Sequence, residues 1–337
     1  MKVLIVANSS AGGGAENAMK ILHLQFLKLG IASQFCALMN DGSQSEFREL
    51  VTLSRPWKSG VGSTLKCLLQ FNKLIRRFKP DVVIANCELP ELFCALSLSS
   101  IQNLVVVEHT TQPWNGRKIL GQITRRMLKL REASWVTVSK IDSGIWPLNI
   151  QPFRIPNCVD IPENSNITRT NFDLARIISV GRLVESKRVD WQLELAKDLK
   201  LPILVIGDGP LKDSYSKNFP NAEFLGFQDD PWQFIMPGDI MISASDFEGD
   251  GLVVIEAIVR NTPLILRNTK DYLQFQLPES MYFSSKEELK DAILRAKDEG
   301  TEKFMSPAQI RINLMSERKP ESVAENWLEF IKKLRNA

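Results

Sequence analysis

Arg182 and Lys187 stand five positions apart in Val180-Gly181-Arg182-Leu183-Val184-Glu185-Ser186-Lys187-Arg188, directly after the apolar run Ile177–Val180. A guanidinium is a planar fork and an ammonium a mobile point charge, so the pair suits a diphosphate; a solvated basic loop would have the same composition. Two carboxylates, Glu248 and Glu256, stand eight apart around a Gly-Asp-Gly turn at 249–251. The loop carboxylate can meet sugar hydroxyls, and the one about a turn into the next helix can accept from adjacent ribose hydroxyls. Asp246-x-Glu248-x-Asp250-Gly251 imitates the opening of a calcium loop, but its twelfth position is Ala257 where a bidentate Glu is required. Of the two histidines, His109 closes the run Leu104–Glu108. His23, among Met19, Phe26 and Leu27, reads as core. Gly12-Gly13-Gly14 offers backbone amides and a helix N-terminus to a phosphate, or makes a tight turn and no more. The dinucleotide fingerprint fails at Asn17, and no acidic residue ends a second strand, which disfavours a nicotinamide dehydrogenase.

Strands followed by helices must position these residues. Val3–Ala7, Val82–Asn86, Leu104–Glu108 and Val136–Ser139 read as one strand series. Ile177–Val180, Ile203–Gly207, Phe224–Phe227, Ile240–Ser243 and Leu264–Arg267 read as a second. A first helix is predicted to about Leu29, burying Ala18, Ile21, Leu22, Gln25 and Leu29, with Gly30 as its stop. Pro147–Thr170 carries four prolines and reads as the linker. The expectation is an α/β chain of two doubly wound, Rossmann-like domains, with ligands at the carboxyl ends of the strands across a cleft. At 337 residues the length fits about two domains of roughly 150.

Composition is that of a globular protein, 44% hydrophobic and 24% charged. No run approaches the ~18 apolar residues of a membrane span, and the apolar stretch after Met1-Lys2 is too short for a secretory signal. Five cysteines without a C-x-x-C pair are expected to be reduced, buried thiols in a cytoplasmic protein. Residues 1–160 have a net charge of +8 and residues 161–337 of −5. The basic half holds two acid-free clusters. One spans Lys66, Lys73, Arg76, Arg77 and Lys79; the other spans Arg117, Lys118, Arg125, Arg126, Lys129 and Arg131, interleaved with Ile119, Ile123, Met127 and Leu130. Either they are ordinary solvated helix faces, or 66–79 and 117–131 dock peripherally on the anionic inner face of the cytoplasmic membrane. Nucleic acid is disfavoured, because the aromatics form no stacking platform.

In their order, the motifs resemble those of retaining GT-B glycosyltransferases of glycosyltransferase family four, over about residues 3–270. Gly13-Gly14-Ala15-Glu16 comes first, then His109, Ser139-Lys140 and Ile155-Pro156-Asn157-Cys158-Val159-Asp160. Gly181-Arg182 to Lys187, Gly207-Asp208-Gly209-Pro210, Leu225-Gly226-Phe227, Glu248-(x7)-Glu256 and Thr262-Pro263 follow. The resemblance implies an N-terminal acceptor-side domain at 1–160, a nucleotide-sugar domain at 161–318, and a helix at 319–337 crossing back to the N-terminal domain. It implies catalytic roles for His109, Glu248, Arg182 and Lys187. Donor contacts would come from Gly13, Gly14, Arg182, Lys187, Gly209, Gly251, Leu252, Val253 and Glu256, the last at the ribose. Asp250, Cys158 and Asn261 depart from the family pattern, and Asp250 would disfavour acidic sugars.

The implied reaction moves a sugar, with retained anomeric configuration, from a nucleotide-diphosphate sugar, UDP-sugar favoured, to a hydroxyl of a glycan or lipid-linked acceptor in lipopolysaccharide, O-antigen or capsule assembly. With no Asp-x-Asp motif, protein cations would replace a metal's charge, and neither metal nor cofactor is expected. Hinge motion near 155–170 would close the cleft. A sugar-nucleotide epimerase or a phosphorylase on the same architecture, and a non-catalytic nucleotide-sugar binder, are the competing readings. An epimerase needs its own acid and base, and a phosphorylase needs a pyridoxal lysine in a much longer chain.

Overall fold

In the computed structural model, residues 1–10, 13–39, 49–56, 60–110, 112–140, 144–161 and 172–336 are described. The chain divides into two compact units, Met1–Asp160 with Glu317–Ala337, and Ile161–Ser316. Each is built on a parallel sheet whose central strands are apolar and buried because helices cover both faces.

In the first unit the strands are β1 (Lys2–Ala7), β2 (Ala32–Met39), β3 (Leu50–Arg55), β4 (Val82–Asn86), β5 (Leu104–Glu108), β6 (Ser134–Thr137) and β7 (Phe153–Arg154). Their spatial order is β3-β2-β1-β4-β5-β6-β7, all parallel. Helices α1 (Gly14–Lys28), α2 (Val61–Phe78), α3 (Glu88–Leu96) and α4 (Lys118–Leu130) connect them. One sheet face packs Leu4, Val6, Val83, Ala85 and Val106 against Cys67 and Phe71 of α2, Phe93 of α3 and Leu128 of α4. The first helix buries Ala18, Met19, Leu22, His23, Gln25 and Phe26, while Leu29, expected inside, is half exposed. His23 is core, with Nδ1 2.8 Å from Ser33 Oγ.

The second unit carries β8 (Arg176–Val180), α5 (Val189–Leu199), β9 (Ile203–Ile206), α6 (Lys212–Asn218), β10 (Glu223–Gly226), β11 (Asp239–Ser243), α7 (Leu252–Val259) and β12 (Leu264–Arg267). Then come α8 (Lys270–Leu273), β13 (Tyr282–Phe283), α9 (Lys286–Glu299) and α10 (Ala308–Arg318). Sheet order is β10-β9-β8-β11-β12-β13. The chain returns to the first unit at Glu317, and α11 (Pro320–Asn336) lies against α1 there, with the Phe330 ring tilted against Phe153 of β7 at 4.8 Å between centroids.

Two expectations change. The stretch from Pro147 is not wholly linker: Phe153-Arg154 pairs with β6, and Ile155–Val159 are buried, Val159 donating to the Arg318 carbonyl. Residues 162–170 of that stretch lie outside the described residues. All five cysteines are free thiols, and Cys87 is only half-buried.

Candidate functional site

In a doubly wound sheet the crevice opens where consecutive strands depart to opposite sides. In the second unit that point lies between β8 and β11, so the loops after those strands, carrying Arg182 and Lys187 on one side and Glu248 and Gly251 on the other, are brought to one edge. Lys187 Nζ lies 2.5 Å from Glu248 Oε1. The same oxygen accepts from Ser245 Oγ at 2.8 Å and Tyr272 OH at 3.0 Å, and the Glu248 backbone N–H donates to Asp271 Oδ2 at 2.8 Å. Glu248 is thereby fixed by its own loop, by Lys187 of the loop after β8 and by α8 while remaining 17% exposed, and Lys187 is 28% exposed. Burial and the Glu248 charge together push the Tyr272 phenol well above its ordinary range, which keeps it a donor. Arg182 is exposed and, among the described residues, holds no ion pair.

The glycines of this edge have distinct reasons. A Cβ on Gly207 would lie 1.9 Å from the Gly181 carbonyl oxygen, and one on Gly209 would lie 2.4 Å from that of Leu183. These turns therefore touch backbone to backbone, laced by Leu183 N–H to the Asp208 carbonyl and Gly207 N–H to the Gly226 carbonyl. At Gly209, one of the expected donor contacts, the N–H donates to the exposed Asp208 Oδ1 at 2.7 Å. Gly251 is left-handed (φ 68°) and stands at the cap position of α7, and, among the described residues, no side chain caps the first turn with Leu252 and Val253. Glu256 follows on α7, where its Oε2 accepts from Trp232 Nε1 at 2.9 Å and Arg260 stacks over the Trp232 ring. Asp250 is buried, with 4% exposure.

The first unit's switch point lies between β1 and β4. Gly13 caps α1 in extended conformation and Gly14 begins it, both exposed; neither backbone angle demands glycine. His109 follows β5, half-buried, with Nε2 enclosed and without a hydrogen-bond partner; burial lowers its pKa to about 4, so the ring is neutral near pH 7. Two residues that sequence reasoning missed share this edge. Asn8 Oδ1 and Asn86 Oδ1 are also buried and unpartnered, while Asn86 Nδ2 donates to the Ala15 carbonyl at 3.5 Å. The pairing of β1, β4 and β5 puts these residues at neighbouring strand ends. Only the sheet register shows that three such atoms gather here. No local motif marks them.

Arg125 requires a correction. Expected on a basic helix face, it is fully buried, donating to Glu91 Oε1 and Oε2 (2.9 and 3.0 Å), to Glu108 and to the Trp146 carbonyl. Its face of α4 is made of Gly121, Thr124, Arg125 and Leu128, with Trp114 pressed so closely on Gly121 that a Cβ there would meet its ring at 2.4 Å. The apolar residues Ile119, Ile123 and Leu130 are on the outside instead.

Two family models match the chain, "Glycosyltransferase Family 4" over residues 12–142 and "Glycosyl transferases group 1" over residues 160–302. The poly(ribitol-phosphate) alpha-N-acetylglucosaminyltransferase of Staphylococcus aureus is 25% identical over 177 residues, 48% of this chain and 36% of that one. An uncharacterized glycosyltransferase of Methanocaldococcus jannaschii is 26% identical over 243 residues, 61% of this chain and 60% of that one. The chain thus spans less than two thirds of the length of either relative. Among solved structures, Anabaena HepE in complex with UDP and glucose superposes with a TM-score of 0.77 at 13% identity, covering 98% of this chain and 99% of that one.

Proposed function

The chain belongs to the GT-B glycosyltransferases of the family-four type, and from that premise we propose that it transfers a sugar from a UDP-sugar, with retention and without a metal, to a hydroxyl of a glycan or lipid-linked acceptor in surface-polysaccharide assembly. The observation that carries this reading is the Lys187–Glu248 pair, held by Ser245 and Tyr272 beside the exposed Arg182 and the uncapped start of α7. Arg182 and the first-turn amides at Leu252 and Val253 supply positive potential for a diphosphate, which leaves with its charge compensated. Lys187 stands between that charge and Glu248, so it can serve both. With three donors on one oxygen, Glu248 stays an oriented acceptor for a sugar hydroxyl. Glu256 is the ribose contact, with Trp232 setting its direction.

In the first unit, Asn8, Asn86 and neutral His109 offer uncharged acceptors, which suit hydroxyls better than phosphate. In a front-side displacement the bond from the anomeric carbon to the diphosphate breaks as the acceptor hydroxyl approaches on the same face, and a donor phosphate oxygen takes the hydroxyl proton. The choice of UDP leans on likeness to proteins solved with UDP, and the surface-polymer acceptor on the wall-polymer relative. The test is a thermal-shift panel of UDP-, GDP- and ADP-sugars, followed by nucleotide release with and without acceptor glycans. Stabilisation by UDP compounds, weakened at least tenfold in Arg182→Ala and Lys187→Ala, is expected; wild-type affinity and turnover in both variants would refute the assignment.

A further inference from the structure

Helices α2, α3 and α4 lie side by side over one face of the first sheet, and their outer surface has an unusual composition. Residues 61–79 and 117–131 contain no acid. On α4, Ile119, Ile123, Arg126 and Leu130 recur at intervals of four, three and four, which places them in one stripe, and all four are exposed, Ile119 at 76% and Leu130 at 85%. On α2, Leu65 and Leu69 are exposed beside Lys66, Lys73 and Arg76.

The segment after α3 joins the two helices. Leu98 N–H donates to Asn72 Oδ1 of α2 at 2.9 Å, and Arg131 at the end of α4 donates to the Ser97 carbonyl. Leu98, 89% exposed, therefore stands between the two basic helices. Large apolar side chains in water next to cations, on two helix segments that themselves carry no carboxylate, form a surface that is cationic and insertable together. A nucleic acid would use the charge but leave the isoleucines and leucines wet. An acidic protein surface would not need them ringed by lysine and arginine.

We propose that this face of α2 and α4 rests on an anionic phospholipid bilayer, the apolar stripe entering the headgroup boundary and the flanking Arg117, Lys118, Arg126 and Lys129 meeting lipid phosphates. Arg125 takes no part, being sealed inside by Glu91 and Glu108. The inference rests on exposed residues of one unit and is independent of the donor chemistry at the other.

The experiment is co-sedimentation of the full chain with phosphatidylcholine vesicles with and without about 30% phosphatidylglycerol. Binding only to the anionic vesicles is expected. Charge reversal by Arg126→Glu with Lys129→Glu should weaken it more than tenfold, since each lost cation is worth roughly fivefold. Ile119→Ser with Ile123→Ser keeps the charge and should also weaken it severalfold. All four positions are exposed, and retained melting temperature checks the fold. Equal binding to neutral vesicles overturns the proposal. So does wild-type binding by the double serine variant, which would reduce the surface to a generic polyanion site.

Discussion

Two charge clusters, one in each unit, use the same chemistry to opposite ends. In the first unit Arg125 is saturated by Glu91, Glu108 and a carbonyl in a region closed to water. Burial drives the Glu108 carboxyl upward while the guanidinium opposes it. In the second unit Lys187 and Glu248 are joined as tightly, yet both keep an accessible side, and the exposed Arg182 stands at the same edge. A sealed pair can only hold elements together, here α3, α4 and β5. An open pair can exchange one partner for a ligand. Residue type does not separate the two cases; solvent access and saturation of donors do.

The contrast breaks most sharply at Arg125. Arg125→Leu strands two buried carboxylates, and denaturant unfolding should show a loss of about 3–5 kcal/mol. A loss below about 1 kcal/mol would show that Glu91 and Glu108 are satisfied otherwise. Glu248→Gln should do the reverse, lowering turnover by about a hundredfold while unfolding stability stays within about 1 kcal/mol, measured on the same preparation.

His109 sharpens the contrast through pH. Its folded pKa of about 4 lies below the ordinary 6.5, so the neutral ring is the form the fold prefers. Its contribution to stability is complete above pH 6.5 and is lost as pH falls from there through 4. The difference in unfolding free energy between wild type and His109→Gln should change across that window by about 3 kcal/mol. A constant difference from pH 7 to 4 would place the ring in water. The smallest effect belongs to Tyr272→Phe, which removes one of three donors to Glu248 and should cost about 1 kcal/mol of transition-state stabilisation, read as roughly a fivefold fall in kcat/KM.

Much of the frame was legible beforehand. Val82–Asn86, Leu104–Glu108 and Leu264–Arg267 were expected as strands and are strands over those same residues, because a parallel strand covered on both faces must be apolar without interruption. β2 and β3 escaped notice: Ala32–Met39 opens with Ser33 and Gln34, and Leu50–Arg55 alternates with Thr52 and Ser54, so neither shows a continuous apolar run. Tyr272 and Ser245, which hold Glu248, carry no motif, and Trp232 reaches Glu256 from 24 positions away.

The sequence by itself determined the alternation of strand and helix and singled out Arg182, Lys187, Glu248 and Glu256 as candidates, since both are written in local order. Only the tertiary structure decided which charges are sealed and which are open. Lys187 meets Glu248 across 61 residues and Arg125 meets Glu91 across 34. Whether water reaches such a pair depends on everything packed around it, a property that no stretch of neighbouring residues contains.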